Sequence, residues 1–378
     1  MTPLASRSPL DPWVTQASVW KCVRLLAQGH PCPAPLAVEL HLGTACNLAC
    51  PECISRPILD SARFEPERAL SLAQEIVDLG VRSVVLSGGG EPLLHPSAGA
   101  VLRILAEGGV TTSLVTNGTL LQNHFDDVVL HPRRVWVSID AATADTHALF
   151  RPCRGGPPHQ TFAHLIESVR RLAARRHGNV TFSFLLLGRE TSQGVVSNAG
   201  EMAAAARLAR EIGCSTFEVN VAFDRSLRLA PSLRAVSDVV MREVGAVRAT
   251  AQRGFHVHVS PMVEVVAGGK TEERWASRAY DRCVAAEVRA LVGPRGVYLC
   301  PRHQDLDEAR YGDPVTTPLG EIWASAAHRE ALHHVSPALA CDGPCMSMEL
   351  NDKLERAVAH ARAGCPDPVL REDEDLFL

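Results

Sequence analysis

The chain has 378 residues, 46% of them hydrophobic and 21% charged, which is the composition of an ordinary globular protein. Its formal net charge of −4 gives no electrostatic sign of nucleic-acid binding. No stretch approaches the about eighteen apolar residues of a membrane span, and residues 1–13 lack the apolar core of a signal peptide, so we expect a cytoplasmic protein with no membrane or nucleic-acid partner.

The first 260 residues show an irregular start and then a regular alternation. Residues 1–35 contain six prolines and predict an irregular lead with one short helix near residues 20–28. Apolar stretches then predict strands at 36–42, 81–87, 110–116, 133–139, 179–187 and 215–223. Amphipathic stretches between them predict helices at 65–79, 96–107, 160–176, 198–212 and 231–253. This alternation predicts an α/β fold with a parallel sheet and right-handed crossovers over residues 36–260.

After about residue 280 the alternation ends. Residues 288–299 predict a hairpin around the turn 293–296. Helices are predicted at 319–333 and 346–363, followed by an acidic tail, 371–378. We therefore expect a smaller C-terminal α+β domain over residues 261–370.

Three cysteines, Cys46, Cys50 and Cys53, follow the first predicted strand in the spacing C-x3-C-x2-C. Three close thiols without a nearby fourth ligand suit a [4Fe–4S] cluster that keeps one iron open. A zinc site usually recruits a fourth Cys or His at short range. The chain has twelve cysteines and no export signal, which favours metal or cluster binding over disulfides.

Polar motifs follow the next three strands. Gly88-Gly89-Gly90-Glu91 comes after the second strand, Asn117 after the third, and Ser138 and Asp140 after the fourth. The carboxyl ends of parallel barrel strands share one edge, so these residues and Cys46 can face one mouth.

The cysteine spacing and the Gly-Gly-Glu motif, in this order, resemble those of radical S-adenosylmethionine (SAM) enzymes over about residues 37–225. This resemblance implies a partial (β/α)6 barrel, a SAM-binding [4Fe–4S] cluster, and a 5′-deoxyadenosyl radical that abstracts a substrate hydrogen. The chain departs from the family at Glu52, where an aromatic residue usually precedes the third cysteine.

The resemblance also implies roles for single residues. Gly89, Gly90 and Glu91 would contact the SAM amino group, and Arg151 its carboxylate. Ser138 and Asp140 would bind the ribose hydroxyls, and the same pocket would include Asn117 and Asn198.

Several of these residues have a simpler interpretation. The glycine run also suits a tight turn, Asp140 a helix N-cap, and Arg151 a surface position. Glu218 and Asn220 alternate on the sixth strand as substrate-binding candidates, although Glu218 could pair with an arginine instead. Cys153 near the mouth could return a hydrogen atom to a substrate radical, or be a spare thiol.

A second cysteine set, Cys283, Cys300, Cys341 and Cys345, surrounds the predicted hairpin. It resembles the twitch domain, the short form of the SPASM domain, which holds an auxiliary [4Fe–4S] cluster. Cys365 could replace one ligand, and a structural zinc site with four thiolates is the alternative.

The favoured function is that of a radical SAM oxidoreductase acting on a small polar metabolite such as a sugar, aminoglycoside or cyclitol. It would dehydrogenate or epimerise a carbinol carbon in natural-product, for example antibiotic, biosynthesis, with electrons from a flavodoxin or ferredoxin. The alternative is a maturase that modifies a ribosomally made peptide; such enzymes usually carry an N-terminal recognition domain, and residues 1–35 look too short for one. A non-catalytic iron–sulfur or zinc protein would leave the Gly-Gly-Glu motif unexplained.

Overall fold

The computed structural model describes residues 10–154, 158–222, 231–268, 282–304, 306–341, 345 and 347–373. The first nine residues of the predicted lead, the last residue of the sixth predicted strand and residues 374–378 of the predicted acidic tail lie outside these ranges.

Most of the described strands form one sheet of ten strands. Their bounds are β1 (Ala37–His41), β2 (Ser83–Ser87), β3 (Thr111–Thr116), β4 (Arg134–Ser138), β5 (Val180–Leu186), β8 (Thr216–Val221), β9 (His256–Val259), β10 (Arg289–Gly293), β11 (Gly296–Tyr298) and β12 (Arg310–Gly312). The strands β6 (Gly188–Thr191) and β7 (Gly194–Ser197) form a separate hairpin after β5.

The sheet order is β12-β11-β10-β1-β2-β3-β4-β5-β8-β9. Every pair from β10 to β9 in this order is parallel, so the predicted parallel sheet is confirmed. Two further parallel strands extend the sheet beyond the six predicted ones: β9 pairs with β8 at one side, and β10 pairs with β1 at the other. The predicted C-terminal hairpin is also present as β10–β11, but its first strand bonds directly to β1 and so continues the barrel sheet.

Side chains of the described helices pack with those of the strands in the main core. They are α1 (Ala17–Ala27), α2 (Pro66–Asp78), α3 (Ala98–Glu107), α4 (Phe125–Leu130), α5 (Ala144–Phe150), α6 (Pro158–Arg176), α7 (Met202–Glu211), α8 (Pro231–Arg234), α9 (Ser237–Arg248), α10 (Pro261–Gly268), α11 (Leu319–Ala324), α12 (Ala326–His334), α13 (Pro337–Ala340) and α14 (Met348–Arg362). None of the helices in the described residues is long and apolar enough to cross a membrane.

Helix α2 shows why these segments become helices. Pro66 occupies its first turn, where no intrahelical partner for the N–H is needed. Its apolar residues at helical spacing, Leu72 and Ile76 among them, are fully buried against the sheet. Gly80, with φ +72°, allows the chain to leave the helix in the left-handed conformation.

Two predicted helices differ from those observed. The helix predicted at 319–333 is two helices, α11 and α12, which meet at Ser325. The Ser325 hydroxyl accepts a hydrogen bond from the His328 N–H and so caps the second helix. The segment predicted as a helix at 231–253 likewise forms α8 and α9.

The period of two along each parallel strand separates the core from the interior of the barrel. On β1, Val38 and Leu40 join the core under the helices, whereas Glu39 and His41 line a cavity. On β8, Phe217 and Val219 are core residues, and the intervening Glu218 faces the same cavity. The sheet therefore directs alternate side chains of adjacent strands into one interior space.

The lead packs on the C-terminal helix. Helix α1 contributes Val19, Trp20 and Val23 to a second core, which it shares with Leu354 and Val358 of α14. The described part of residues 1–35 is thus joined to the C-terminal region.

Candidate active site

A cavity of about 780 Å³ opens at the carboxyl ends of the parallel strands. Its wall combines the interior faces of β1–β5 and β8 with the loop that follows β1. Residues 301–304, which follow Cys300, supply three more of its lining side chains: Pro301, Arg302 and Gln304. The first cysteine set and the segment after the hairpin thus border one space.

Cys46, Cys50 and Cys53 all line this cavity. They lie on the cluster loop, as we call residues 43–63, which closes on itself. The Thr44 N–H donates to the Ala62 carbonyl at 2.8 Å, and the Phe64 N–H donates to the Leu42 carbonyl at 3.0 Å. Backbone hydrogen bonds therefore join the two ends of the loop that carries the three thiols.

Two of the three thiols of the cluster loop have a raised pKa. Burial raises the pKa of Cys50 to about 11, and the positive charge of Arg151 opposes this rise. Burial raises the pKa of Cys46 as well. Iron binds thiolates, so loading this site must release protons.

The Gly-Gly-Glu motif lies directly against the cluster loop. A Cβ atom on Gly90 would stand 1.9 Å from the Ala45 carbonyl oxygen, so only glycine fits there. The Glu91 N–H donates to that carbonyl at 2.9 Å. The motif is thus more than a tight turn, because it joins the end of β2 to the loop that carries the cysteines.

Glu91 is buried and accepts three hydrogen bonds. Its Oε1 accepts from the Leu93 N–H at 3.1 Å and the Thr116 hydroxyl at 2.6 Å, and its Oε2 accepts from the Asn117 N–H at 2.7 Å. Burial raises the pKa of Glu91 despite these donors. A carboxylate offers about four acceptor positions, so these three bonds leave one available to a ligand of the cavity that Glu91 lines.

Asn117 also lines the cavity, and its side chain ties β3 to the cluster loop. Its Nδ2 donates to Asn47 Oδ1 at 2.9 Å, and its Oδ1 accepts from the Thr119 N–H at 3.0 Å.

Sequence reasoning missed the residues that support Gly89. The Gly89 N–H donates to His41 Nδ1 at 3.1 Å, which leaves His41 Nε2 as the donor toward Glu39, 3.1 Å away. The Ser87 hydroxyl also donates to Glu39, at 2.8 Å. Burial would raise the pKa of Glu39, but these hydrogen bonds and the charge of Arg289 hold it below its ordinary value. The alternation along β1 was the available signal.

Arg151 lines the cavity, whereas two of its predicted companions do not. The Asp140 carboxylate is buried and accepts from Arg151 Nε at 2.5 Å and from the Leu185 N–H at 2.7 Å. The Asn198 amide donates to the Asp140 carbonyl at 2.8 Å and accepts from the Leu187 N–H at 2.8 Å. Both side chains therefore bond within the protein, outside the cavity lining. Asp140 is not the N-cap of α5, because the Thr143 hydroxyl fills that role.

A polar wall faces the cavity from β4, β5 and β8. Ser138, Ser183 and Glu218 are register partners on adjacent strands, so their side chains share one face. The Trp136 indole N–H donates to Glu218 Oε2 at 2.9 Å, and the Asn220 amide donates to Oε1 at 2.6 Å. The structure thus places Ser138, expected to bind the SAM ribose, on the same wall as Glu218 and Asn220, which are expected to bind the substrate.

Cys153 lies beside the cluster loop and is not among the residues that line the cavity. It forms a β-bridge with Leu48, and the neighbouring Pro152 carbonyl accepts from the Ala49 N–H at 2.8 Å. A role in hydrogen return stays a prediction, with no support from this geometry.

Glu52, the departure from the family pattern, pairs with Arg189 of β6 at 3.1 Å. The Arg189 guanidinium lies over the Phe150 ring, 5.4 Å from its centroid. Glu52 thus joins the β6–β7 hairpin to the cluster loop.

The second cysteine set surrounds the β10–β11 hairpin. Cys283 precedes β10, Cys300 follows β11, and Cys345 precedes α14. Burial raises the pKa of Cys283 and of Cys300, and the proximity of Cys345 adds to both shifts. The fourth cysteine, Cys341, has its Sγ 3.3 Å from Nε2 of His303, a neighbour that sequence reasoning missed.

Cys365 lies beyond the opposite end of α14 from Cys345. It follows the far end of α14, whose 15 residues span roughly 22 Å. Cys345 precedes the other end of that helix, so the structure gives no support to Cys365 as a replacement ligand.

The donor sets fit iron–sulfur clusters. Within the described residues no three His, Cys, Asp or Glu side chains converge tightly enough to hold a single metal ion. A cluster needs wider spacing, because each thiolate binds a different iron. Three thiols at one cavity, with a glycine cradle and side chains of both charges beside them, suit a cluster with SAM.

Comparison with known proteins supports a site for a cluster and SAM in this chain. Residues 40–220 match the family model described as the radical SAM superfamily. The mycofactocin maturase MftC of Mycobacterium ulcerans is 26% identical over 341 residues, which cover 85% of this chain and 83% of MftC. The AdoMet-dependent heme synthase of Methanosarcina barkeri is 32% identical over 126 residues. That second match covers 32% of this chain and only 36% of the synthase's own length.

Among solved structures, SuiB of Streptococcus suis bound to its precursor peptide SuiA has a similar fold. The TM-score is 0.61 at 13% sequence identity, and the superposition covers 91% of this chain and 79% of SuiB.

The chain thus contains a domain of the radical SAM superfamily, over residues 40–220. Members of this family bind a [4Fe–4S] cluster and SAM, so these are its cofactors. The partial barrel that the sequence predicts is confirmed by the sheet topology and by the similar fold of SuiB.

Proposed function

We propose that this chain is a radical SAM maturase that modifies a peptide, the alternative left open by the sequence. The observation that carries the proposal is the similarity to MftC along most of both chains. The match to the heme synthase, by contrast, covers about a third of each chain.

The fold and the cavity rim are compatible with a peptide. SuiB, with the same fold, was solved with its precursor peptide bound, which is an analogy at the level of fold. Apolar side chains of the cluster loop, Ile54, Pro57, Ile58 and Leu59, line the cavity, and Ile54 is 56% exposed. An exposed apolar rim above a polar interior suits a chain that lies across the mouth and inserts one side chain.

The two cysteine sets would bind clusters, and two residues of the cavity would bind SAM. Cys46, Cys50 and Cys53 would hold the SAM-binding cluster, and the second cysteine set would hold an auxiliary cluster. Glu91 would accept a hydrogen bond from the SAM ammonium, and Arg151 would pair with its carboxylate. When bound, the cluster and SAM supply a 5′-deoxyadenosyl radical, and an auxiliary cluster supplies a one-electron acceptor. A flavodoxin or ferredoxin would donate the first electron.

A small polar metabolite is the second candidate, and the polar wall favours it. Ser138, Ser183, Glu218 and Asn220 offer hydrogen-bond partners that hydroxyl or amino groups of a sugar or cyclitol would satisfy. Dehydrogenation or epimerisation of a carbinol carbon would be its reaction.

Product analysis of the reconstituted enzyme separates the two. The enzyme, SAM and dithionite are incubated with short peptides encoded beside its gene, and in parallel with a panel of amino sugars and cyclitols. We expect 5′-deoxyadenosine together with a peptide that is lighter by two hydrogens. If the reaction is an epimerisation, the peptide should instead gain one deuterium when the solvent is heavy water. The Cys46/Cys50/Cys53→Ala variant is the control and should form neither product. Oxidation of a panel compound with every peptide unchanged would reverse the order of the candidates.

A further inference from the structure

Glu218 differs from the other carboxylates that line the cavity. Each of its oxygens accepts one hydrogen bond from a neutral donor, Trp136 on one side and Asn220 on the other. In the part of the chain that the structure describes, no cation forms an ion pair with it.

The other two carboxylates of the cavity have positive charge nearby. Glu39 lies within electrostatic range of Arg289, and Glu91 within range of Arg151. Glu91 also accepts three hydrogen bonds from neighbouring groups. Each oxygen of Glu218 therefore keeps acceptor capacity toward the cavity that it lines, because each accepts a single hydrogen bond.

The surroundings of Glu218 match the donors of a primary ammonium group. Such a group has three N–H donors and no acceptor. Glu218 supplies charge and acceptor positions, and its register partner Ser183, with Ser138 one strand further, supplies hydroxyl acceptors on the same face. Adjacent strands are about 4.8 Å apart, so an ammonium group between them can reach both kinds of acceptor.

The geometry points to Glu218 as the residue that binds a primary ammonium group of the substrate, which at an internal position of a peptide is a lysine side chain. The inference rests on the proposed peptide-modifying function for the choice of lysine. The ammonium recognition itself rests on the polar wall alone. An amino sugar carries the same group, so the experiment must separate these two sources.

Two matched pairs of probes test the inference by calorimetry on the reconstituted enzyme with SAM. The first pair is Nα-acetyl-lysine N-methylamide and its norleucine counterpart, which differ in the ammonium group. The second pair is glucosamine and glucose. We expect wild type to bind the lysine probe about tenfold more tightly than the norleucine probe, the scale of a hydrogen bond to a charged group.

Glu218→Gln should reduce this preference to less than about threefold, because the amide keeps the shape but removes the charge. The Asn220 amide can turn to satisfy the new side chain, and unchanged iron content and SAM binding would show that the fold is intact. Glu190→Gln is the control: it makes the same chemical change at an exposed position of β6 outside the cavity lining, and it should preserve the tenfold preference.

The inference fails if wild type prefers neither cationic probe, or if the preference survives in Glu218→Gln. A Glu218-dependent preference for glucosamine over glucose, without one for lysine over norleucine, would uphold ammonium recognition. That result would instead count against the peptide-modifying function.

Discussion

Arg151 Nε and Asp140 Oδ2 form an ion pair at 2.5 Å that joins the end of β4 to the edge of the active-site cavity. The backbone of Asp140 is in the left-handed region, with φ +59°, and its second oxygen is held by the Leu185 N–H. The segment after Arg151 pairs with the cluster loop through the Arg154 N–H and the Asn47 carbonyl, at 3.0 Å. Asp140 therefore positions Arg151 from behind the cavity wall.

Asp140→Asn should destabilise the protein and weaken SAM binding together. Removing one partner of a buried pair leaves the other charge uncompensated, so we expect the free energy of unfolding to fall by about 3 kcal/mol. The dissociation constant of SAM should rise roughly tenfold, because Arg151 loses its fixed orientation. Denaturant titration and equilibrium dialysis measure the two effects.

The exposed Asp126 on α4 offers a matched control, since Asp126→Asn makes the same chemical change at the surface. It should leave SAM affinity unchanged and lower the free energy of unfolding by less than about 1 kcal/mol, because the charge of Asp126 in the first turn of α4 favours the helix. Unaltered SAM affinity in Asp140→Asn would show that Arg151 does not depend on this pair.

His41→Phe should weaken SAM binding without removing iron. The Gly89 N–H would lose its acceptor in a buried site, which costs about 1–3 kcal/mol, and the motif loop would shift. His41→Gln retains an acceptor and should recover part of the affinity. Equal SAM affinity in wild type and His41→Phe, at equal iron content, would contradict a role for His41 in holding this loop.

The sequence predicted six of the eight parallel strands to within about two residues, because strand alternation and the glycines at helix ends are local signals. The positions of Cys46, Glu91 and Glu218 at the cavity could be predicted, because the first two follow strands and the third lies on one. The hydrogen-bond partners of two other site residues could not, since Arg151 and Leu185 meet Asp140, and Leu187 meets Asn198, only through the fold. The continuation of the sheet into β10 was likewise hidden, because parallel pairing with β1 joins segments about 250 residues apart.

Iron content tests both cysteine sets. Anaerobically reconstituted wild type should bind about eight irons, and the Cys46/Cys50/Cys53→Ala variant about four. Cys365→Ala should keep all eight, because α14 separates this residue from Cys345. Metal analysis by mass spectrometry makes the measurement. Zinc in the second site, or loss of all iron from the triple variant, would refute the auxiliary cluster.

His147 on α5 should make the protein less stable in mild acid. It is 2% exposed and packs against the Phe162 ring, with 5.3 Å between ring centroids. Burial lowers the pKa of His147 to about 4, and the positive charge of Arg151 adds to the shift. An unfolded chain binds the proton near pH 6.5, so between these values it holds more protons than the folded protein.

Stability from this residue is therefore complete above about pH 6.5 and is lost as the pH falls toward 4. Between about pH 7.5 and about pH 5.5, this residue alone should lower the free energy of unfolding by about 1 kcal/mol. Denaturant titration at both pH values, on wild type and on His147→Leu, isolates its share, because the variant keeps an apolar side chain but cannot titrate. The decrease should be smaller in the variant by that amount. An equal decrease in both proteins would mean that His147 takes up its proton as readily in the folded state as in the unfolded chain.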